Sequence, residues 1–143
     1  MPNSDRFRLD IVSPTGIIFD EEIDSVSMPT PDGTITVLAH HTPLFTKLAD
    51  GEVDIKRDGK TTTIVISGGF CEIKKNIVNI LSDYAIRAES IQIAKSEERK
   101  RQAEEKLKGK LDNEEFTVVD KDLRLSILEL KAAEKMKKRQ RVN

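Results

Sequence analysis

Four groups of residues have the types that chemistry uses, and their spacing decides what each can do. Asp58-Gly59-Lys60-Thr61 ends like a phosphate-binding loop. That loop needs a glycine five residues before its second one, where this chain has Asp54, and it needs a helix to follow. Thr62-Thr63-Ile64-Val65 is strand-like instead, so the expectation is a hairpin turn. His40-His41 is the only histidine pair. Neighbours on an extended chain point opposite ways and no cysteine stands near them, so no metal site is expected. Cys71 is the single cysteine; it has no thiol partner, lies in a strand-like run, and reads as a small buried apolar residue. With no base assembled beside it, a cysteine nucleophile is not expected. Asp20-Glu21-Glu22 reads as solvated turn charge rather than a general-acid pair. The expectation is no catalytic residue, no metal and no cofactor. One cluster invites a functional reading: Lys131, Lys135, Lys137, Lys138, Arg139 and Arg141 against the single acid Glu134, between residues 131 and 143. It reads either as a helix end favoured by the helix dipole or as a contact for an acidic surface. Nucleic acid ranks below these, since no aromatic accompanies the charges to stack a base.

The elements that hold these residues divide sharply. Over 143 residues, 24 basic and 25 acidic side chains leave a net charge of -1, so total charge argues for neither nucleic acid nor an anionic membrane. No run of 18 apolar residues is present, and Met1-Pro2-Asn3-Ser4-Asp5-Arg6 has no apolar stretch behind it, so neither a spanning helix nor a signal peptide is expected. A reduced, cytoplasmic setting fits the lone cysteine. Residues 1–88 hold all five prolines, six of seven glycines and five of six aromatics, with 9 basic against 13 acidic side chains. Residues 89–143 hold no proline, one glycine and one aromatic, with 15 basic against 12 acidic. Turn-rich and aromatic reads as sheet; charge-dense without Gly and Pro reads as helix. The seam falls near residues 85–89.

In the first part, Phe7, Leu9 and Ile11 alternate with Arg8 and Asp10, and the same period of two recurs along the chain. Strands are expected at 7–12, 17–19, 23–28, 34–38, 44–48, 53–57, 61–67, 70–74 and 78–81. Asp32-Gly33, Asp58-Gly59 and Pro14-Thr15-Gly16 read as turns. The alternation slips across Ile23, Val26 and Met28, which reads as a bulge. Many short strands mean a sandwich or small barrel. In the second part, Ser90 reads as the cap of a helix to about residue 108, closed by Gly109. Its apolar face is thin: Ile93, Ala103 and Leu107. Asp120 or Asp122 reads as the cap of a second helix with stripes Leu123, Ile127, Leu130 and Leu125, Leu128, Ala132, Met136.

Several strings resemble the epsilon subunit of bacterial F-type ATP synthases, called delta in mitochondria. They are Leu9-Asp10-Ile11-Val12-Ser13-Pro14, Ile18-Phe19-Asp20, Val26-Ser27-Met28-Pro29, Asp32-Gly33-Thr34-Ile35-Thr36-Val37-Leu38, His41-Thr42-Pro43-Leu44, Ser67-Gly68-Gly69-Phe70-Cys71-Glu72-Ile73, Val78-Asn79-Ile80-Leu81-Ser82-Asp83 and Ala85-Ile86-Arg87-Ala88. Their order and spacing cover residues 6–88. The resemblance implies a flattened β-sandwich of about ten strands over 1–86, followed by a two-helix antiparallel hairpin over 87–143 with a regulatory role.

The resemblance further implies a non-catalytic rotor subunit of the central stalk. It couples the catalytic head to the ion-conducting c-ring in ATP synthesis driven by a proton gradient. It is peripheral, at the cytoplasmic face of the bacterial cell membrane. The sandwich grips the gamma subunit and rests on the c-ring, through a loop matched here by Gly33, Thr34, His41, Pro43 and Leu44. The hairpin, when extended, hinders ATP hydrolysis, and its basic residues from Lys131 to Arg141 meet the beta subunit. Some relatives bind ATP through an Ile-Asp-x-x-Arg-Ala string. Here Ile91 is kept, but Gln92 replaces the carboxylate and Lys95 the arginine, so no bound ATP is expected. Leucines 123, 125 and 128 with Ile127 stand where relatives are richer in alanine, which favours one packed state. The competing reading is a small adaptor that binds nucleic acid through its basic C-terminal helices.

Overall fold

The computed structural model describes residues 5–142. Residues 1–4, part of the signal-peptide reading, and Asn143, the end of the basic segment, lie outside that range. The chain divides between Arg87 and Ala88 into two compact units.

The first unit contains ten strands: β1 (Phe7–Ser13), β2 (Gly16–Ile23), β3 (Ser25–Thr30), β4 (Gly33–Leu38), β5 (Leu44–Leu48), β6 (Gly51–Arg57), β7 (Lys60–Ile66), β8 (Gly69–Lys74), β9 (Ile77–Leu81) and β10 (Ala85–Arg87). They form two five-stranded sheets, ordered β2-β1-β9-β8-β5 and β10-β7-β6-β3-β4. Alternation supplies the inner faces: along β1, Phe7, Leu9, Ile11 and Ser13 are buried while Arg8 is exposed. Leu9, Ile11, Ile23, Val26, Met28, Val53, Ile64, Ile66 and Ile80 are fully enclosed in one apolar core. Together with the helices of the second unit this is the β-sandwich followed by two helices expected from the sequence.

The turns explain the pairings. Asp58 and Gly59 have φ of 51° and 77° and join Arg57 to Lys60 in a two-residue hairpin, not a phosphate cradle. Lys75-Asn76 does the same without glycine (φ 26° and 62°) between Lys74 and Ile77. Asp32-Gly33 needs correction: Thr30 pairs with Gly33, so Pro31-Asp32 make the turn. Proline presets the first turn dihedral, and Thr30 Oγ1 bridges the turn, accepting from Asp32 N–H at 3.2 Å and donating to Gly33 O at 2.6 Å. The expected bulge across 23–28 is a crossing between sheets: Ile23 ends β2, Asp24 turns the chain, and Val26 restarts the count in β3. The register shift among the β1–β2 pairs lies between Ile11 and Val12.

The second unit holds a short 3-10 turn (Ala88–Ser90), α1 (Ile93–Leu107) and α2 (Asn113–Val142). Both expected caps move. Ser90 belongs to the 3-10 turn, and Gln92 precedes α1 without a side-chain cap bond. Beyond Leu107, Lys108 N–H and Gly109 N–H bond back to Glu105 O and Lys106 O, both at 3.2 Å. α2 starts well before Asp120: Asp112 Oδ1 accepts from Glu115 N–H at 2.8 Å, and Asp112 C=O from Phe116 N–H at 2.9 Å. Asp112 and Glu115 have the spacing of a capping box, whereas the apolar stripe that dominated the sequence reading begins only at Leu123.

Candidate partner-binding surfaces

Groups that could do chemistry are dispersed or closed off. Among the described residues no cluster of three or more His, Cys, Asp or Glu side chains could hold a metal ion. Cys71 is fully buried, and burial pushes its thiol up to about 12, so it stays protonated. Asp20, Glu21 and Glu22 lie inside β2, not in a turn. Asp10 and Asp20 face each other directly across the β1–β2 pair. Their shared hydrogen bond, then burial, raises the Asp10 carboxyl above the usual range. The same bond, helped by Arg8, lowers Asp20. Arg8 contacts both, at 3.6 Å to Asp10 and in a close ion pair to Asp20. These are surface carboxylates tied by a guanidinium, with no nucleophile beside them.

The sequence-predicted loop residues are all exposed, but they do not form one loop. Gly33 (φ 123°) and Thr34 open β4, while His41, Pro43 and Leu44 follow its far end. β4 runs five residue steps from Gly33 to Leu38, or about 17 Å at the rise of a strand. The two groups therefore lie at opposite ends of β4. His41 Nδ1 lies 2.6 Å from Thr42 O, and His40, at φ 64°, sends its N–H to Asn76 Oδ1 at 3.4 Å. Near the latter end Leu38, Leu44 and Ile77 are also exposed.

The most distinctive surface was not singled out by the sequence reading. Phe45 and Phe70 are 66% and 48% exposed, and their rings stack at 5.7 Å with planes 21° apart. With Val12 and Leu81 they border a hollow of ≈ 290 Å³ rimmed by Asp10, Glu72 and Asn79. Parity could have revealed it. Cys71 and Ile73 face inward, so Phe70 and Glu72 must face out. Phe45 opposes Glu72 on the next strand, diagonal to Phe70. Outward stacked aromatics on a folded sheet make this the candidate contact surface of the sandwich.

In the helical unit Ile91 is nearly buried, whereas Gln92 and Lys95 are exposed. Lys131, Lys135, Lys137, Lys138 and Arg141 are exposed and Arg139 is half-buried. Lys138 Nζ lies 3.5 Å from Glu134. The helices run antiparallel, with Arg99 bonded to Glu129. Six residues back along α1 and six forward along α2, Ile93 is level with Lys135. Lys137, Lys138, Arg139 and Arg141 thus belong to the part of α2 that outruns α1.

A ten-stranded sandwich with an exposed aromatic face, followed by a helix pair with a basic end, defines a two-unit sandwich-and-hairpin protein. Residues 6–88 match the family model described as ATP synthase, Delta/Epsilon chain, beta-sandwich domain. The ATP synthase epsilon chain of Desulforamulus reducens is 37% identical over 127 residues, covering 89% of this chain and 96% of that one. The epsilon chain of Dehalococcoides mccartyi is 37% identical over 138 residues, covering 96% and 99%. The fold is shared with a chain of the Euglena gracilis mitochondrial ATP synthase, solved as OSCP/F1/c-ring, at a TM-score of 0.76 and 24% identity over 93% of this chain and 84% of that one. It is also shared with a chain of the Tetrahymena thermophila central stalk/c-ring structure, at a TM-score of 0.62 and 12% identity over 88% and 95%. The chain belongs to the ATP synthase delta/epsilon family.

Proposed function

We propose that this chain is a non-catalytic rotor subunit of an F-type ATP synthase. It couples the catalytic head to the c-ring during ATP synthesis driven by a proton gradient, peripherally, at the cytoplasmic face of a bacterial membrane. The observation that carries this reading is the stacked Phe45–Phe70 pair beside Leu81, exposed on a sheet whose other face is a complete core. A sandwich with that face uncovered fits a subunit that is gripped by another. Gamma is the partner assigned to it. The solved assemblies that share the fold are described as central stalk and c-ring structures, which supports that assignment.

The c-ring contact divides in two, because Gly33 lies about 17 Å and Thr34 about 13 Å along β4 from the strand's other end, where His41, Pro43 and Leu44 follow. A flat ring surface meets one end of the sandwich, so one group rests on the ring and the other lies away from it. The regulatory reading rests on the basic end of α2, where Lys131 and Lys135, beside the start of α1, and Lys137, Lys138, Arg139 and Arg141, beyond it, would meet an acidic surface of the beta subunit and hinder hydrolysis. Exposed ion pairs are worth only about 0.2–1 kcal/mol each, so several must act together and weaken with salt.

The test is affinity purification of the tagged chain from membranes. The intact chain should bring down gamma and the c-ring, and Phe45→Ala with Phe70→Ala should lose gamma at least tenfold while melting like the parent. Truncation before Lys131 should raise ATP hydrolysis at low salt and leave synthesis unchanged. Recovery of nucleic acid in place of gamma, with steep salt dependence, would favour the adaptor reading and remove this one.

A further inference from the structure

The face that α1 buries is smaller and more polar than the expected thin face of Ile93, Ala103 and Leu107: of these only Ala103 is buried. Ser96 and Ala103 are its buried residues, and Arg99 lies between them on the same face. On α2 the buried positions are Ser126, Glu129, Ala132 and Ala133, while Leu123, Leu125, Ile127, Leu128 and Leu130 are only half-buried. Glu129 is 3% exposed, which is rare for a carboxylate unless it is paired. Arg99 reaches across from α1 with both arms of its fork. Nη1 donates to Glu129 Oε1 at 2.9 Å, and Nη2 donates to Asp122 Oδ1 at 2.6 Å. Glu129 and Asp122 are seven residues, or two helical turns, apart on one face of α2, so a single guanidinium spans them. Ser126, midway between, turns its hydroxyl back to Asp122 C=O at 2.8 Å.

We propose that Arg99 is a charge latch that holds α1 and α2 side by side, and that the hairpin parts when the latch is broken. Alanine and serine let two helices approach closely, yet each buries little apolar surface, so the seam around the latch closes weakly. A buried ion pair is asymmetric in its consequences. Removing one partner is strongly destabilising, whereas replacing both with apolar residues of similar volume is tolerated. The latch also has two unequal arms. Asp122 is 45% exposed and is reached by salt; Glu129 is enclosed and is not. The latch is a property of this helix pair and stands apart from the rotor reading, since it makes no use of any partner.

The test uses the full chain with spin labels on cysteines placed at the exposed positions 102 and 121. Cys71 is enclosed and protonated and does not compete for the label. Pulsed electron resonance should give one short distance in the parent. Arg99→Ala should raise the ratio of long to short distances at least tenfold, Asp122→Asn less, and Arg99→Met with Glu129→Leu should restore the single short distance at all salt concentrations. Arg99→Lys, a point charge without the fork, should fall between. Loss of the short distance in Arg99→Ala supports the latch, whether circular dichroism shows helices parted or melted. An unchanged distance in Arg99→Ala at low and high salt, or a lysine variant indistinguishable from the parent, overturns it.

Discussion

The sandwich and the helix pair bury opposite kinds of residue. Inside the sandwich lie Leu9, Ile11, Ile23, Met28, Ile64, Ile66 and Ile80, fully enclosed among other apolar side chains. Inside the hairpin lie Ser96, Ala103, Ser126, Glu129, Ala132 and Ala133. Apolar burial is additive and undirected, so a sheet core tolerates local loss without changing its partners. A polar seam has few contacts, each geometrically exacting, so one change can alter the pairing itself. One chain therefore combines a body held by an apolar core with a unit held by a small polar seam.

The widest test of that contrast removes the same kind of atoms from each half. Leu9→Ala or Ile64→Ala should destabilise the sandwich by about 2–5 kcal/mol, since both side chains are fully enclosed and leave a cavity. Leu130→Ala, half-buried on α2, should cost well under half as much. Urea unfolding followed by circular dichroism reads both. Equal losses would mean that the hairpin holds a hidden apolar core and the contrast fails. Next in size is Gly69→Ala. A Cβ there would lie 2.0 Å from Leu81 O at a φ of 116°. Such a backbone conformation costs about 1–3 kcal/mol for a side-chain residue before the clash relaxes. Gly109→Ala, on the connection between the helices, would meet no atom nearer than Lys106 O at 3.5 Å and should be close to neutral.

Legibility differed between the halves for the same reason. In the sandwich, burial is apolar and has period two, so the strands, the core and the Asp58-Gly59 turn follow from residue type alone. The turn at Lys75-Asn76 escaped because neither residue is glycine, although both adopt positive φ. The short β10 escaped because three residues cannot display a period. In the hairpin, hydrophobic periodicity found Ala103 and Ala132, which are buried, but it pointed equally at the half-buried Leu123, Leu125, Leu128 and Leu130 and missed Ser126, Glu129 and Ala133. A pattern reader weighs apolarity, whereas this seam is set by side-chain size and a salt bridge, which a helix period cannot show. At the candidate surfaces, the basic end of α2 was plain in the sequence. The Phe45–Phe70 pair was not, because stacking depends on strand register between β5 and β8.

A smaller effect separates the start of α2 from the start of α1. Asp112 caps α2, and the N–H of Glu115 holds its carboxyl below the usual range. Asp112→Ala should fray the first turns of α2, seen as faster amide exchange over residues 113–119, while amides of the sandwich stay unchanged. Ser90→Ala should leave α1 as it is, because Ser90 sits in the preceding 3-10 turn. If Ser90→Ala frays α1 and Asp112→Ala does nothing, the two helix starts have been exchanged.

The smallest effect concerns acid, and it compares one corner of the sandwich with the head of α2. Asp24 accepts the N–H of Asp58 at 2.8 Å and the Nε–H of Arg6 at 3.0 Å, and Arg6 also pairs closely with Asp58. The backbone bond first, and Arg6 second, hold the Asp24 carboxyl below the usual aspartate range. Asp112 is lowered first by the Glu115 backbone N–H, then by the Glu115 side chain. A carboxylate whose folded value lies below its unfolded value binds its proton more readily in the unfolded chain. Its contribution is therefore complete above the unfolded value, near pH 4, and is lost as pH falls through the folded value. Both sites should then weaken on the acid side, and neither should respond between pH 6 and 8. They separate on mutation and salt. Arg6→Ala should move the Asp24 titration up only part of the way, because the Asp58 N–H remains. The same substitution should leave Asp112 untouched, and added salt should shift Asp24 more than Asp112. Carboxyl titration by nuclear magnetic resonance between pH 2 and 6 resolves each site. An Asp24 that already titrates at the ordinary aspartate value would show that this corner is held by the core beneath it and not by its charges.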